Sequence, residues 1–189
     1  MCNHQDGAGA RVLLPEEFFM FKNRHVQRVG WGAVASLMLL APQVSAQDLT
    51  SLFEYRVVEV NDAGEEMLVE RNKVRPGETI HYMISHVNVA ESDLSDVVIV
   101  APVPEGVTLS VGSDSSSIPA NFEIQAELEP EMPGLEWSTL PAFRKVVAED
   151  GSESLEPVPA AAIEAVRWSL QNAIPSGDKA MNTYRVVVN

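Results

Sequence analysis

A strict alternation along one segment is the feature that most limits how this chain can fold. It is clearest over residues 79–89, where Ile80, Tyr82 and Ile84 recur at every second position. Because successive side chains of a β-strand point to opposite faces, this period of two predicts a strand with one buried face. The apolar run at residues 97–100, within residues 96–101, predicts a further strand that is fully apolar. The chain is therefore expected to be rich in β-structure.

Turn signals separate the predicted strands at short intervals. Residues 61–64 read Asn-Asp-Ala-Gly and follow an alternating segment around Tyr55, which predicts a hairpin that returns near Met67. Many short strands with glycine and proline turns are typical of β-sandwiches and barrels. We predict an all-β antiparallel sandwich over residues 47–189. Its shared core is predicted to contain five residues: Tyr82, Ile84, Val97, Ile99 and Trp168.

An export signal is predicted at the start of the chain. Residues 29–41 form an uncharged apolar run, shorter than the roughly 20 residues that a membrane-spanning helix needs. Three basic residues precede it and Val-Ser-Ala follows at 44–46, which is the order of features that signal peptidase recognises. We predict that residues 1–46 are a leader, that cleavage follows Ala46, and that the mature protein is periplasmic or extracellular.

The extreme N-terminus fits this signal poorly. Residues 1–19 contain Asp6, Glu16 and Glu17, and an acidic n-region is unusual for a signal peptide. A start at Met20 instead places only basic and neutral residues before the apolar run. We therefore predict that translation begins at Met20 and that the signal peptide comprises residues 20–46.

The predicted mature part is strongly acidic and contains no cysteine. Residues 47–189 contain 9 Lys and Arg against 24 Asp and Glu, and the whole chain has a formal net charge of −14. Such a domain repels phosphate backbones and anionic membranes, so nucleic acid is excluded as a partner. No membrane span is predicted after the leader. The single cysteine, Cys2, lies in the leader, and a cysteine-free chain avoids mispaired thiols in an oxidising compartment.

The mature sequence contains no recognisable catalytic motif. It has no Gly-x-Ser-x-Gly segment and no plausible base near the loop serines Ser113 and Ser115. His81 and His86 are an odd number of residues apart on one strand, so they are expected on opposite faces and cannot share a metal. We expect a buried His86 and an exposed His81. The sequence predicts neither an enzyme nor a cofactor.

Three aspartates are candidates for a calcium site. Asp93, Asp96 and Asp114 are expected in loops or at strand ends, where hard cations find oxygen ligands. No Asp-x-Asp-x-Asp-Gly loop accompanies them, so we predict that no metal is bound.

A recognition surface is predicted on the segment at residues 131–137. This segment places Met132, Leu135 and Trp137 in a proline-stiffened stretch, and the proline lowers the entropy cost of ordering on binding. Trp137 is expected on an exposed loop and would be the anchor of this surface. The alternative is that these side chains fold back to cover the open edge of the sandwich.

Four segments resemble one bacterial family. Residues 74–88 (VRPGETIHYMISHVN) and 96–108 (DVVIVAPVPEGVT) resemble the opening motifs of the bacterial conserved-repeat modules, an Ig-like family known as domain of unknown function eleven. Residues 166–170 (VRWSL), together with 175–177 (PSG) and 184–188 (YRVVV), resemble its closing half. The chain departs from the family pattern at Ala101, where the family has aspartate, and at His86, where an aliphatic residue is usual.

The resemblance implies an Ig-like β-sandwich and a surface or secreted module, often repeated within adhesin-like or envelope proteins. This chain has one copy, which resembles a free-standing version. We expect an exported, non-enzymatic Ig-like module for interaction or structure in the cell envelope or outside the cell. Its expected partner is an envelope protein or a glycan. The alternative is a carbohydrate-binding module that uses an exposed aromatic loop.

Overall fold

The computed structural model of the protein describes residues 48–132 and 134–189. The predicted leader at 1–46, its start at Met20 and its cleavage site lie outside the described residues, as does Pro133. The described part forms twelve strands and one short 3-10 helix, in chain order β1 (Leu49–Val60), β2 (Glu66–Val69), β3 (Thr79–Asn88), β4 (Val98–Pro102), β5 (Val107–Leu109), β6 (Ser115–Ser116), β7 (Ala120–Ala126), β8 (Glu136–Ser138), β9 (Phe143–Val147), β10 (Glu153–Pro157), the 3-10 helix (Ala160–Ala162), β11 (Ala165–Leu170) and β12 (Lys179–Val188).

The strands form three antiparallel sheets. The largest has the order β2-β1-β3-β12-β5, and β6 also pairs with β12. The second has the order β4-β11-β7-β8, and β9 and β10 form a separate two-stranded hairpin. The all-β antiparallel prediction is confirmed for this part of the chain, which contains no α-helix. Over the same residues, no helix has the length and apolar character needed to cross a membrane.

Strand β3 lies between β1 and β12 in the largest sheet, and its alternating pattern buries one of its two faces. Ile80, Tyr82 and Ile84 are each at most 2% exposed, whereas the residues between them are half-buried. The register with β1 and β12 aligns Tyr55, Tyr82 and Tyr184 in one row across three strands. Neighbouring ring centroids in this row are 6.4 and 5.0 Å apart. Aromatic cross-strand contacts of this kind stabilise the sheet.

Strand β11 has the corresponding place in the second sheet. Trp168 pairs with Ile99 of β4 on one side and with Phe122 of β7 on the other. The Trp168 side chain is 1% exposed, and its ring centroid is 5.4 Å from that of Phe122. Trp168, the largest of the five predicted core residues, therefore lies at the centre of this sheet.

The two larger sheets contribute their buried side chains to one hydrophobic core. The rings of Trp168 and Tyr184, one from each sheet, have centroids 6.0 Å apart. The Tyr184 hydroxyl also donates a hydrogen bond of 2.7 Å to the carbonyl oxygen of Pro102 at the end of β4. Burial raises the pKa of this hydroxyl, which keeps it protonated and able to donate. The core prediction is confirmed, since all five residues are at most 6% exposed: Tyr82, Ile84, Val97, Ile99 and Trp168.

The predicted hairpin between β1 and β2 is confirmed. The Asn61 side-chain oxygen accepts bonds of 2.9 Å from the backbone N–H groups of Ala63 and Glu65. Gly64 has φ of 82°, in the left-handed region that glycine enters without a steric penalty. The turn chemistry read from residues 61–64 therefore sets the register of the two strands.

Candidate functional site

The three residues of the predicted recognition surface differ in their exposure. Met132 is 57% exposed and Leu135 is 38% exposed. Trp137 lies within β8, is half-buried, and is in register with Gln125 of β7. The expectation that Trp137 occupies an exposed loop is therefore wrong. Pairing with β7 makes residues 136–138 the edge strand of the four-stranded sheet, which fixes the backbone on both sides of the indole.

Arg167 covers the indole of Trp137. Its guanidinium carbon lies 4.4 Å from the ring centroid, within the range of a cation–π contact. Glu123 holds the guanidinium in place, since its two oxygens accept bonds of 2.7 Å from Nε and 2.9 Å from Nη2. Such bidentate pairs have a defined orientation. One face of the indole is thus occupied by the protein's own side chain, which leaves less aromatic surface for a ligand.

A further group of exposed apolar side chains lies on the β9–β10 hairpin. Phe143 is 49%, Val147 45% and Leu155 72% exposed. Residues that are directly opposite in an antiparallel pair share one face. The register therefore places six side chains on the same face, named here the hairpin face: Phe143, Lys145, Val147, Glu153, Leu155 and Pro157.

The sequence predicts a strand over residues 144–148 but no return strand, so the hairpin itself was not identified. The signal was the dipeptide Asp150-Gly151 between two short segments with β-compatible residues. In the structure Gly151 has φ of 82°, and Asp150 Oδ1 accepts bonds from Ser152 N at 2.9 Å and from Ser152 Oγ at 2.6 Å. These hydrogen bonds lower the pKa of Asp150. The turn is therefore well specified, although the strand after it is short and polar.

Lys145 connects the hairpin to the segment that precedes Met132. Its backbone N–H donates a bond of 2.8 Å to the carbonyl oxygen of Leu128. Its Nζ lies 2.6 Å from Glu153 Oε1 and 4.0 Å from Glu131 Oε2. The hydrogen bond to Glu153 raises the pKa of Lys145. The hairpin face and the exposed Met132 thus belong to the same region of the surface.

His86 is buried, as predicted, and contacts a serine. It is 1% exposed, and its Nδ1 lies 2.7 Å from Ser51 Oγ on the paired strand β1. Burial lowers the pKa of His86 to about 4, so the imidazole is neutral at pH 7. Its Nε2 is buried and has no hydrogen-bond partner among the described residues. The pair has the residue types of a nucleophile and a base, but within the described part of the chain no carboxylate accepts a bond from the imidazole, and the ring is closed off from solvent.

His81 lies on the opposite face of β3, as the odd separation predicts. It is half-buried, so the expectation of an exposed side chain is wrong. The register places it between Arg56 and Arg185 on the neighbouring strands. Burial, followed by the charge of Arg185, lowers the pKa of His81. The long arginine side chains on both sides explain why an outward-facing histidine is partly covered.

The calcium candidates do not come together. Asp93 is exposed and accepts a bond of 3.1 Å from the backbone N–H of Ser176, and Asp96 is exposed with φ of 57°. Asp114 is half-buried and lies in the loop between β5 and β6. Within residues 48–132 and 134–189, no group of three or more His, Cys, Asp or Glu side chains could hold a metal ion.

Comparisons with known proteins found no match for this chain among protein-family models, curated proteins or solved structures.

Proposed function

We propose that the chain is an exported, non-enzymatic Ig-like β-sandwich that acts as an interaction module in the cell envelope or outside the cell. Two antiparallel sheets that contribute to one core support the sandwich assignment. The resemblance to the bacterial conserved-repeat modules supports the Ig-like assignment and the site of action. Its motif segments coincide with β3 and β11, the strands around which the two sheets are built.

The observation that carries the interaction role is an accumulation of exposed apolar side chains in one part of the surface. Five of the thirteen large hydrophobic residues that are exposed in the described part lie between residues 132 and 155. They are Met132, Leu135, Phe143, Val147 and Leu155. Three of them, Phe143, Val147 and Leu155, share the hairpin face, and an exposed apolar patch of this kind is typical of a contact surface. We therefore place the recognition surface on residues 131–157.

The non-enzymatic role is supported by the state of the Ser51–His86 pair. This pair has the residue types of a nucleophile and a base, but its imidazole is 1% exposed and cannot meet a substrate from solvent. A neutral, buried imidazole of this kind has a structural role, in which it is the hydrogen-bond partner of the Ser51 hydroxyl. The carbohydrate-binding alternative depends on Trp137, and the guanidinium of Arg167 at 4.4 Å covers one face of its ring. Protein recognition by the exposed apolar residues is the better supported role.

Site-specific photocross-linking in the producing cells tests this role. A photoreactive amino acid replaces Leu155, which is 72% exposed, or Leu52 as the matched control, which is 56% exposed on β1. Covalent adducts with an envelope protein are expected from position 155 and not from position 52. Adducts from neither position, or equally from both, would contradict the proposed recognition surface.

Export is tested separately by expression of the full chain in a bacterial host, followed by cell fractionation and intact-mass measurement. We expect a mature protein that begins at Gln47 in the periplasm or the medium. A cytoplasmic product that retains residues 29–41 would refute the export assignment. A precursor whose peptides include residues 1–19 would refute the start at Met20.

A further inference from the structure

Strand β10 is an open sheet edge. It pairs with β9 on one side and with no other strand in the part of the chain that the structure describes. All five residues of β10 are exposed. An uncovered edge presents unpaired backbone N–H and C=O groups, to which another extended chain can add as a strand.

The hydrogen bonds that flank the hairpin show which residues face outward. Backbone bonds join Ala148 to Ser152 at 2.8 Å and Val158 to Ala142 at 3.0 Å, so the directly bonded pairs of this ladder are at even positions. In an antiparallel ladder bonded and non-bonded pairs alternate. The N–H and C=O groups of Glu153 and Leu155 therefore point away from β9, toward the open edge.

The same rule accounts for the other side of the hairpin. Lys145 is at an odd position in β9, and its N–H donates outward to the carbonyl oxygen of Leu128 at 2.8 Å. The corresponding edge of β9 is thus connected to the rest of the domain. The two edges differ, and the edge of β10 is the one left open.

The side chains around this edge define what can bind. Leu155, 72% exposed, stands beside Phe143 and Val147 on the hairpin face. Residues 127–157 contain eight acidic and two basic residues. Glu153 and Glu156 of β10 are partly balanced by Lys145 at 2.6 Å and Arg144 at 4.0 Å, so the negative field comes from the excess of acidic over basic residues in this segment. An incoming strand therefore meets backbone hydrogen-bonding groups, an apolar face and a negative field.

We propose that β10 accepts an extended partner segment in which basic and apolar residues alternate, and that this segment adds as a third strand along Glu153 and Leu155. The inference rests on the proposed interaction function and names the chemistry of its partner. A second copy of this chain is disfavoured as the occupant, because both copies would carry the same excess of acidic over basic residues along this edge and would repel each other.

Fluorescence anisotropy with the purified protein tests the proposal. The probe is a labelled synthetic peptide in which lysine alternates with valine, and the matched probe has glutamate in place of lysine. We expect saturable binding of the lysine peptide that weakens as salt is added, and no binding of the glutamate peptide. Amide hydrogen exchange at Glu153 and Leu155 should slow when the lysine peptide is bound. Equal binding of both probes, or of neither, overturns the proposal.

Two variants of Leu155 distinguish the role of the backbone edge from the role of the apolar side chain. Leu155→Pro removes an outward N–H and leaves the bonds to β9 in place, since proline is tolerated at an edge whose N–H faces solvent. It should weaken peptide binding by about tenfold or more, whereas Leu155→Val should bind like the unmodified protein. If Leu155→Pro binds as well as Leu155→Val, the added strand is excluded.

Charge variants provide a test that leaves the backbone unchanged. Glu149→Gln with Glu156→Gln should weaken binding and reduce its salt dependence, while Asp62→Asn, which changes an exposed acid in the turn between β1 and β2 of the largest sheet, should have little effect. Sedimentation measures whether the protein self-associates. A dimer that Leu155→Pro abolishes would identify a second copy as the occupant and overturn the proposal. Cross-links from position 155 without peptide binding would refute this partner chemistry and leave the interaction function standing.

Discussion

Ser51 Oγ lies 2.7 Å from His86 Nδ1, inside a sheet whose other inward-facing residues are mostly apolar. The contact is made because the register of β1 and β3 places the two residues directly opposite each other. It satisfies one nitrogen of an imidazole that is 1% exposed. A histidine in this position makes the stability of the fold sensitive to pH.

The first prediction concerns that sensitivity. The pKa of His86 is lowered to about 4 in the folded protein, so the unfolded chain binds this proton at a higher pH than the folded chain does. The contribution of neutral His86 to the unfolding free energy is fully present above the unfolded pKa of about 6.5. It is lost as the pH falls toward the pKa of the folded protein. The expected loss is about 3 kcal/mol of unfolding free energy.

Urea unfolding at about pH 7 and about pH 4 measures this loss. The chain contains many carboxylates that also titrate, so the comparison is with His86→Leu, in which this part of the pH dependence should vanish. His81→Leu, on the opposite face of the same strand, is the matched control and should keep most of it. Identical pH dependence in the unmodified protein and His86→Leu would contradict the prediction.

The two described tryptophans should respond very differently to truncation. Trp168→Ala removes a side chain that is 1% exposed and packs between the sheets, and it should lower the unfolding free energy by about 3–5 kcal/mol. Trp137→Ala removes a half-buried ring at an edge strand and should cost about 1–2 kcal/mol. Chemical denaturation measures both. Equal losses would show that Trp137 belongs to the core.

The contact of Arg167 with Trp137 is expected to be energetically coupled. A double-mutant cycle of Arg167→Ala and Trp137→Ala should give a coupling energy of about 0.5–1 kcal/mol. Glu123→Gln should reduce this coupling, because the carboxylate holds the guanidinium by bonds of 2.7 and 2.9 Å. Additive single variants would show that the cation–π contact adds nothing to stability.

Two buried asparagines provide the fourth prediction. Both amide atoms of Asn182 are buried and have no hydrogen-bond partner among the described residues. Leucine has the same branched shape as asparagine and no polar atoms, so Asn182→Leu removes the desolvation cost and should raise the unfolding free energy by about 1 kcal/mol.

Asn88→Leu is the matched control. The Asn88 amide donates to the carbonyl oxygens of Ser92 at 2.9 Å and Ile174 at 2.8 Å, and its oxygen accepts from Ala90 N at 2.9 Å. Loss of these bonds should destabilise the protein by about 2–3 kcal/mol. Thermal unfolding of both variants gives the comparison. If Asn182→Leu is as destabilising as Asn88→Leu, the Asn182 amide has a structural role in the core.

The core and its strands were predictable because they depend on local periodicity. The alternation around Tyr82 and the apolar run at 97–100 require buried faces in any β-fold, and the turn at 61–64 carries its own hydrogen-bonding side chain. Burial of the predicted core residues follows from this pattern alone.

The candidate site was predicted in part. Met132 and Leu135 are exposed as expected, but Trp137 is an edge-strand residue under Arg167. That contact joins residues thirty positions apart, and only the pairing of β7 with both β8 and β11 brings them together. The hairpin face was missed because β10, Glu-Ser-Leu-Glu-Pro, has no apolar alternation of its own.

Composition and residue spacing are enough to predict the β-rich class, the buried face of each long strand, and the acidic, cysteine-free character of the predicted mature domain. These properties follow from single residues and their spacing. Three other features follow only from the tertiary fold: the contact of Ser51 with His86, the cover of Arg167 over Trp137, and the edge of β10 that no other described strand pairs with. Each of these depends on which strands become neighbours and in what register, and pairing between distant strands is set by the packing of the whole core rather than by local preference.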